Sequence, residues 1–124
     1  MLKNSLNNLN FKILVIFPLI GNILISTLLF FAIKNNWNFK EADNIGYIGA
    51  LIINIIIFIR DLKTLKEENA HAPSKIWFLI IPIYIFLRQE KNKLNKWYVV
   101  LNVSCYVLVA ILIPIEEEIL KRIA

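Results

Sequence analysis

The chain has one cysteine, one histidine and three glycines among its 124 residues. A lone cysteine excludes an intrachain disulfide, and with a single histidine it leaves no ligand set of the kind that holds zinc. The glycines stand at 21, 46 and 49, so no glycine-rich phosphate loop is present. No grouping of Ser, His and Asp offers a nucleophile with its base. Catalytic residues, metal and cofactor are therefore not expected, and the protein is not expected to be an enzyme. Charge is missing too, and in blocks. The stretches 13–33, 45–59, 76–87 and 97–115 contain no Lys, Arg, Asp, Glu or His. A soluble helix of that length keeps a polar face for water, so these stretches are expected to face lipid or other apolar helices. Proton-coupled transporters usually hold a carboxylate within the membrane; none of the four stretches has one.

What is present follows from those blocks. Apolar residues make up 58% of the chain, above the roughly half that is usual for soluble domains. The expected fold is an all-α integral membrane protein, a single domain over 1–124 with four hydrophobic helical segments. Crossing a hydrocarbon core of about 30 Å takes about 20 helical residues. The first and fourth stretches, 21 and 19 residues long, meet that requirement, and the second meets it with its flanks. The third has 12, or roughly 18 Å as a helix. The first stretch exceeds the apolar region of a secretory signal and lacks a small-x-small cleavage site, so it is expected to be an uncleaved membrane helix.

Polar and small residues inside the blocks suggest helix contacts. Asn22, Asn54 and Asn102 fall one to each long stretch. A polar amide in lipid needs a partner, so the three are expected to bond across helices at a common level, or to line a polar path. Gly46, Gly49 and Ala50 open the second helix with residues that allow close backbone approach. Cys105 is expected to pack as a small residue. Pro114 and residues 116–118, all glutamate, are expected to end the fourth span as a solvated helix end.

The stretch 60–88 decides how the chain threads. A helical pattern continues past Arg60, Asn69 suits a left-handed helix end, and Pro73 suits the first turn of the next helix. The segment expected over about 73–88 is short and interrupted by Pro82, with Trp77 and Tyr84 offering polar tips near an interface. Two arrangements are open, a re-entrant segment and a thin span. Re-entry puts ten basic residues on one side and four on the other; spanning gives eight and six. The excess of Lys and Arg in short loops marks the cytoplasmic side, which favours re-entry with a cytoplasmic N-terminus. Asp61 and Arg88 then share one face and can form a charge-assisted pair; in a span they lie on opposite sides.

Asp61, Leu65-Lys66, Pro73, Trp77, Pro82, Tyr84 and Arg88 carry a resemblance. Their spacing resembles a family of small uncharacterised bacterial polytopic membrane proteins with the pattern Asp-x3-Leu-Lys-x2-Gly, Pro-x3-Trp and Pro-x-Tyr-x3-Arg. The chain departs from it at Asn69, where the family has glycine, at Ile81, where a second proline is common, and at Ile85, where leucine is usual. The resemblance covers about a quarter of the chain. It implies an architecture, a paired Asp and Arg flanking a short membrane segment, and no activity.

The expected role is that of a small subunit of the bacterial cytoplasmic membrane. It would form homo-oligomers in the bilayer and present the basic loops 60–75 and 88–96 to a cytosolic protein partner, in a scaffold, regulatory or membrane-defence system. The alternative is an oligomeric pore or holin-like permeabiliser lined by the three asparagines. The net charge of +5 suits anionic lipid rather than nucleic acid, which is not expected as a partner.

Overall fold

The structure is a computed structural model and describes residues 6–123. Those residues form four α-helices: α1 (Leu9–Lys34), α2 (Phe39–Glu67), α3 (Ile81–Lys91) and α4 (Trp97–Ile123), with a 3₁₀ turn at Lys75–Leu79 ahead of α3. Among the described residues no strand occurs. Helices α1, α2 and α4 are long and apolar enough to cross a membrane. The protein is an all-helical membrane protein.

Local chemistry sets the helix bounds. The Asn8 side chain caps α1 by accepting the Phe11 N–H at 3.0 Å, and Asn38 caps α2 through the Glu41 N–H at 3.1 Å. Both satisfy a backbone donor that the helix itself leaves open. Three C-terminal ends close through a residue in the left-handed region: Asn36 (φ 55°), Asn69 (φ 53°) and Lys93 (φ 54°). Each is followed by a long return bond, Trp37 to the Ala32 carbonyl, Ala70 to Leu65 and Leu94 to Gln89. This is the usual way of turning a chain off a helix, here carried out without glycine.

Helices α1 and α2 form an antiparallel hairpin. The Asn10 amide donates to the Ile57 carbonyl at 3.0 Å, so the start of α1 lies beside the far half of α2. Helix α4 runs parallel to α1, because Asn102 reaches Val15 and Glu116 reaches Asn22 and Ser26. The main core sits at one end of this bundle and joins Phe11, Leu14 and Val15 of α1 to Phe58 and Leu62 of α2 and to Ile81, Tyr84 and Ile85 of α3. Edge-to-face contacts tie Phe58 to Tyr84 (ring centroids 4.7 Å apart) and Phe11 to Tyr98 (5.2 Å). The sides of α2 and α4 are uncovered along most of their length, with Ile48, Ile52, Ile56, Val103, Val107 and Ile111 exposed.

Three expectations are corrected here. The third segment is not one helix over 73–88 broken at Pro82. It is a 3₁₀ turn, a bend at Ile80, and a helix that begins at Ile81 and runs to Lys91, with Pro82 in its first turn. Proline belongs there because the first helical N–H groups have no intrahelical acceptor to lose. The fourth helix does not stop at Pro114 but continues through Glu116–Glu118 to Ile123. The small residues of α2 do not act together. Gly46 lies against Ile25 and Leu28, and Ala50 faces Gly21, but Gly49 looks into open space. Residues 46 and 50 are one turn apart and share the α1 face; 49 is rotated off it.

Candidate functional site

The most ordered polar constellation joins the end of α2, helix α3 and the residues ahead of α1. Asp61 arrives on the last two turns of α2, two residues after the charge-free stretch ends. Tyr84 and Arg88 are four apart on α3, so both project from one helix face toward it. Gln89 follows directly.

Arg88 is the centre. Its Nε donates to Asp61 Oδ2 at 2.8 Å and its Nη2 to Asp61 Oδ1 at 2.9 Å, a bidentate fork that matches the planar carboxylate. Nη2 also donates to the Leu6 carbonyl. Nη1 donates to Gln89 Oε1 at 2.6 Å and to Asn7 Oδ1 at 3.3 Å. A guanidinium has five N–H donors, and all five are used. Its plane lies over the Phe11 ring, 3.7 Å from the centroid, a favourable cation–π placement. Tyr84 completes the acceptor side by donating its hydroxyl to Asp61 Oδ2 at 2.5 Å. Asp61, Tyr84, Arg88 and Gln89 are all fully buried.

Burial explains why each bond is needed. An ionised side chain taken out of water is tolerated only when paired and hydrogen-bonded. Here the two charges cancel and every donor has an acceptor. Burial, reinforced by the adjoining Asp61 carboxylate, pushes the Tyr84 hydroxyl far above its ordinary range, so it stays a donor. Nothing in the cluster is left over for acid–base or nucleophilic work. Its chemistry is that of a clamp.

A second tie closes the same region. Asn92 accepts the His71 N–H at 2.9 Å and donates back to the His71 carbonyl at 2.8 Å. Gln89 donates to the Asn95 carbonyl at 2.9 Å. Residues 71 and 92 are thus in contact, and the intervening segment leaves and returns to the same end of the bundle. Trp77 packs half-buried beside the main core. Around this end Arg60, Lys63, Lys66, Lys75, Lys91, Lys93 and Lys96 are exposed, and the ion pair among them, Lys63 with Glu67 at 3.9 Å, is a solvated one that contributes little.

The intramembrane asparagines do not meet at one level. Asn102 is buried near the clamp end and donates to the Val15 carbonyl at 2.6 Å. Asn22, near the middle of α1, donates to Glu116 Oε1 at 2.7 Å, and Ser26 donates to Glu116 Oε2 at 2.7 Å. The Asn54 carbonyl oxygen is buried without a partner among the described residues. Glu116 is therefore not a solvated helix end. Its carboxylate is the polar partner that two α1 residues share. Residues ahead of α1 also belong to the site: Leu6 is buried, and Leu6 and Asn7 both accept from Arg88, which was not expected from the sequence. Asn8, a capping residue directly ahead of an apolar helix, is the signal that could have located them.

Among the described residues no group of three or more His, Cys, Asp and Glu side chains is placed to hold a metal ion. Comparison with protein-family models, curated proteins and solved structures returned no match to the chain.

Proposed function

We propose that the protein is a small polytopic membrane subunit that oligomerises in the bilayer and offers a rigid basic face to a cytosolic protein. The observation that carries this reading is the clamp. It uses Asp61 and Arg88 for structure and fixes the hairpin over 71–92, around which seven exposed Lys and Arg side chains are arrayed. Pre-organised charge favours fast, oriented encounter with an acidic surface. Three membrane-length helices and a short third segment whose ends meet support re-entry as its threading, which gathers the basic loops on one side. By the Lys and Arg rule that side is the cytoplasm of a bacterial inner membrane, with residue 6 on the same side. The uncovered flanks of α2 and α4 suit lipid and further copies of the chain.

The test is in-cell photo-crosslinking from position 63 or 93. One discrete adduct is expected, weakened when Lys66 and Lys75 are changed to glutamate. An adduct indifferent to those charges, or none from either position, would defeat the reading. The pore reading has one observation on its side: Asn22 and Asn54 line a common cavity. Asn102 is bonded elsewhere, so a continuous line of amides is not formed within one chain. Ion flux through reconstituted vesicles separates the two functions.

A further inference from the structure

The end of the bundle opposite the clamp holds a cavity of about 990 Å³ between the last turns of α1, the start of α2 and the last turns of α4. Its wall includes the Asn22–Ser26–Glu116 cluster. Asn22 and Ser26 lie twelve and eight residues before Lys34, so the carboxylate sits roughly 12–18 Å down the helix axis from that end. A half-buried carboxylate held against the apolar length of α1 points to a function by default.

Charge in the cavity is unbalanced. Asp43, Glu116 and Glu117 line it against Lys121 alone, and among the described residues no Lys or Arg lies within ion-pair distance of Glu116. Of the other cations at this end, Arg122 is engaged by Glu118 at 3.4 Å on the exposed side of α4, Lys34 lies over the Phe30 ring at 4.8 Å, and neither they nor Lys40 line the cavity. Trp37 and Tyr47 supply aromatic surface in the same wall. A second cavity of about 250 Å³ shares Asn22, Ile25, Tyr47 and Ile113 with it and extends the lining to Asn54, whose carbonyl oxygen is unpartnered. Negative charge in excess of the one lining lysine, aromatic faces and an apolar lining select one class of ligand. Carboxylates attract a cation, aromatic rings favour one that is weakly hydrated, and apolar walls favour one with a hydrophobic body.

We infer that this cavity is a binding site for an amphiphilic organic cation, with Glu116 as its charge partner and Asn22 and Ser26 holding that carboxylate in place. The site is independent of the basic face at the other end. An alkylammonium compound entering from water and the amine of a lipid headgroup present the same chemistry.

The test uses the full chain in nonionic detergent with Trp77→Phe and Trp97→Phe, so that Trp37 alone reports. Titration with tetraphenylphosphonium is expected to change Trp37 emission saturably, whereas tetraphenylborate, of the same shape and opposite charge, is not. Glu116→Gln is expected to weaken phosphonium binding about tenfold or more, the worth of one charge-assisted contact, and Ser26→Ala by less. Equal response to the two ions in the otherwise unaltered protein overturns the inference without reliance on the Glu116 variant. So does unchanged affinity in Glu116→Gln. Adding phosphatidylethanolamine to the micelles distinguishes the sources: competition with the phosphonium assigns a lipid amine, and its absence assigns a free cation.

Discussion

Arg88 and Asp61 meet through two parallel hydrogen bonds, 2.8 and 2.9 Å long, across 27 residues of chain and with neither side chain exposed. Removing one member of such a pair leaves the other charge buried alone, which costs about 3–5 kcal/mol, whereas replacing both by apolar residues is often tolerated. Asp61→Leu and Arg88→Met should each lower the thermal midpoint in detergent sharply, and the double variant should lose much less than their sum. Strict additivity would mean that the pair is not coupled.

Tyr84→Phe isolates one bond of the same cluster. Losing a hydrogen bond to a charged acceptor costs about 1.5–3 kcal/mol, so this variant should be destabilised by less than Arg88→Met. Thermal unfolding under the same conditions ranks them. A larger effect from the tyrosine would shift the centre of the clamp away from Arg88.

Threading can be read by labelling. In a Cys105→Ala background, cysteine placed at 75 and at 91 should react with an impermeant maleimide from one side of the membrane, and cysteine at 40 from the other. Co-labelling of 91 with 40 would turn the short segment into a span and remove the basis for a single basic face.

Gly46 and Gly49 should part company. A side chain at 46 meets Leu28 at 3.3 Å and Ile25 at 3.4 Å, but one at 49 meets nothing within 4 Å. Gly46→Val is expected to cost about 1–3 kcal/mol through overpacking, and Gly49→Val to stay within about 0.5 kcal/mol. Unfolding curves of the two variants decide it.

Lys93 has a left-handed backbone at φ 54° with only a lysine side chain to recommend it. The conformation costs an ordinary L-residue roughly 1–2 kcal/mol. Lys93→Gly should therefore raise the unfolding midpoint modestly, by up to about 1 kcal/mol once the extra freedom of glycine in the unfolded chain is offset. A lowered midpoint would show that the lysine side chain contributes more than its backbone strain.

Much of the architecture was legible because lipid imposes a simple condition on composition. Charge-free stretches of 21 and 19 residues give little choice but helices of membrane length. Asn69 marked the end of α2, whereas Pro73 lies in the connecting coil ahead of the 3₁₀ turn and not in the first turn of a helix. The shortness of 76–87 made adjacency of Asp61 and Arg88 a consequence of re-entry. What escaped notice did so for physical reasons. Block boundaries drawn at charges put Glu116 outside, yet helical side chains lean toward the N-terminus, and this one reaches back to Asn22 and Ser26. A backbone carbonyl such as that of Leu6 carries no sequence signature at all, so this partner of Arg88 was invisible. Nor does the pattern of small residues in α2 tell which of them faces α1, since rotation about the helix axis is set by the neighbour and not by spacing alone.

The bond from Arg88 to the Leu6 carbonyl has a consequence for biogenesis. It joins residues 82 apart, so the residues ahead of the first helix wait, unlatched, while about two thirds of the chain is still being translated. Until Arg88 arrives, the Leu6 carbonyl has to be satisfied by water or headgroups, and the latch closes only after the third helix has folded.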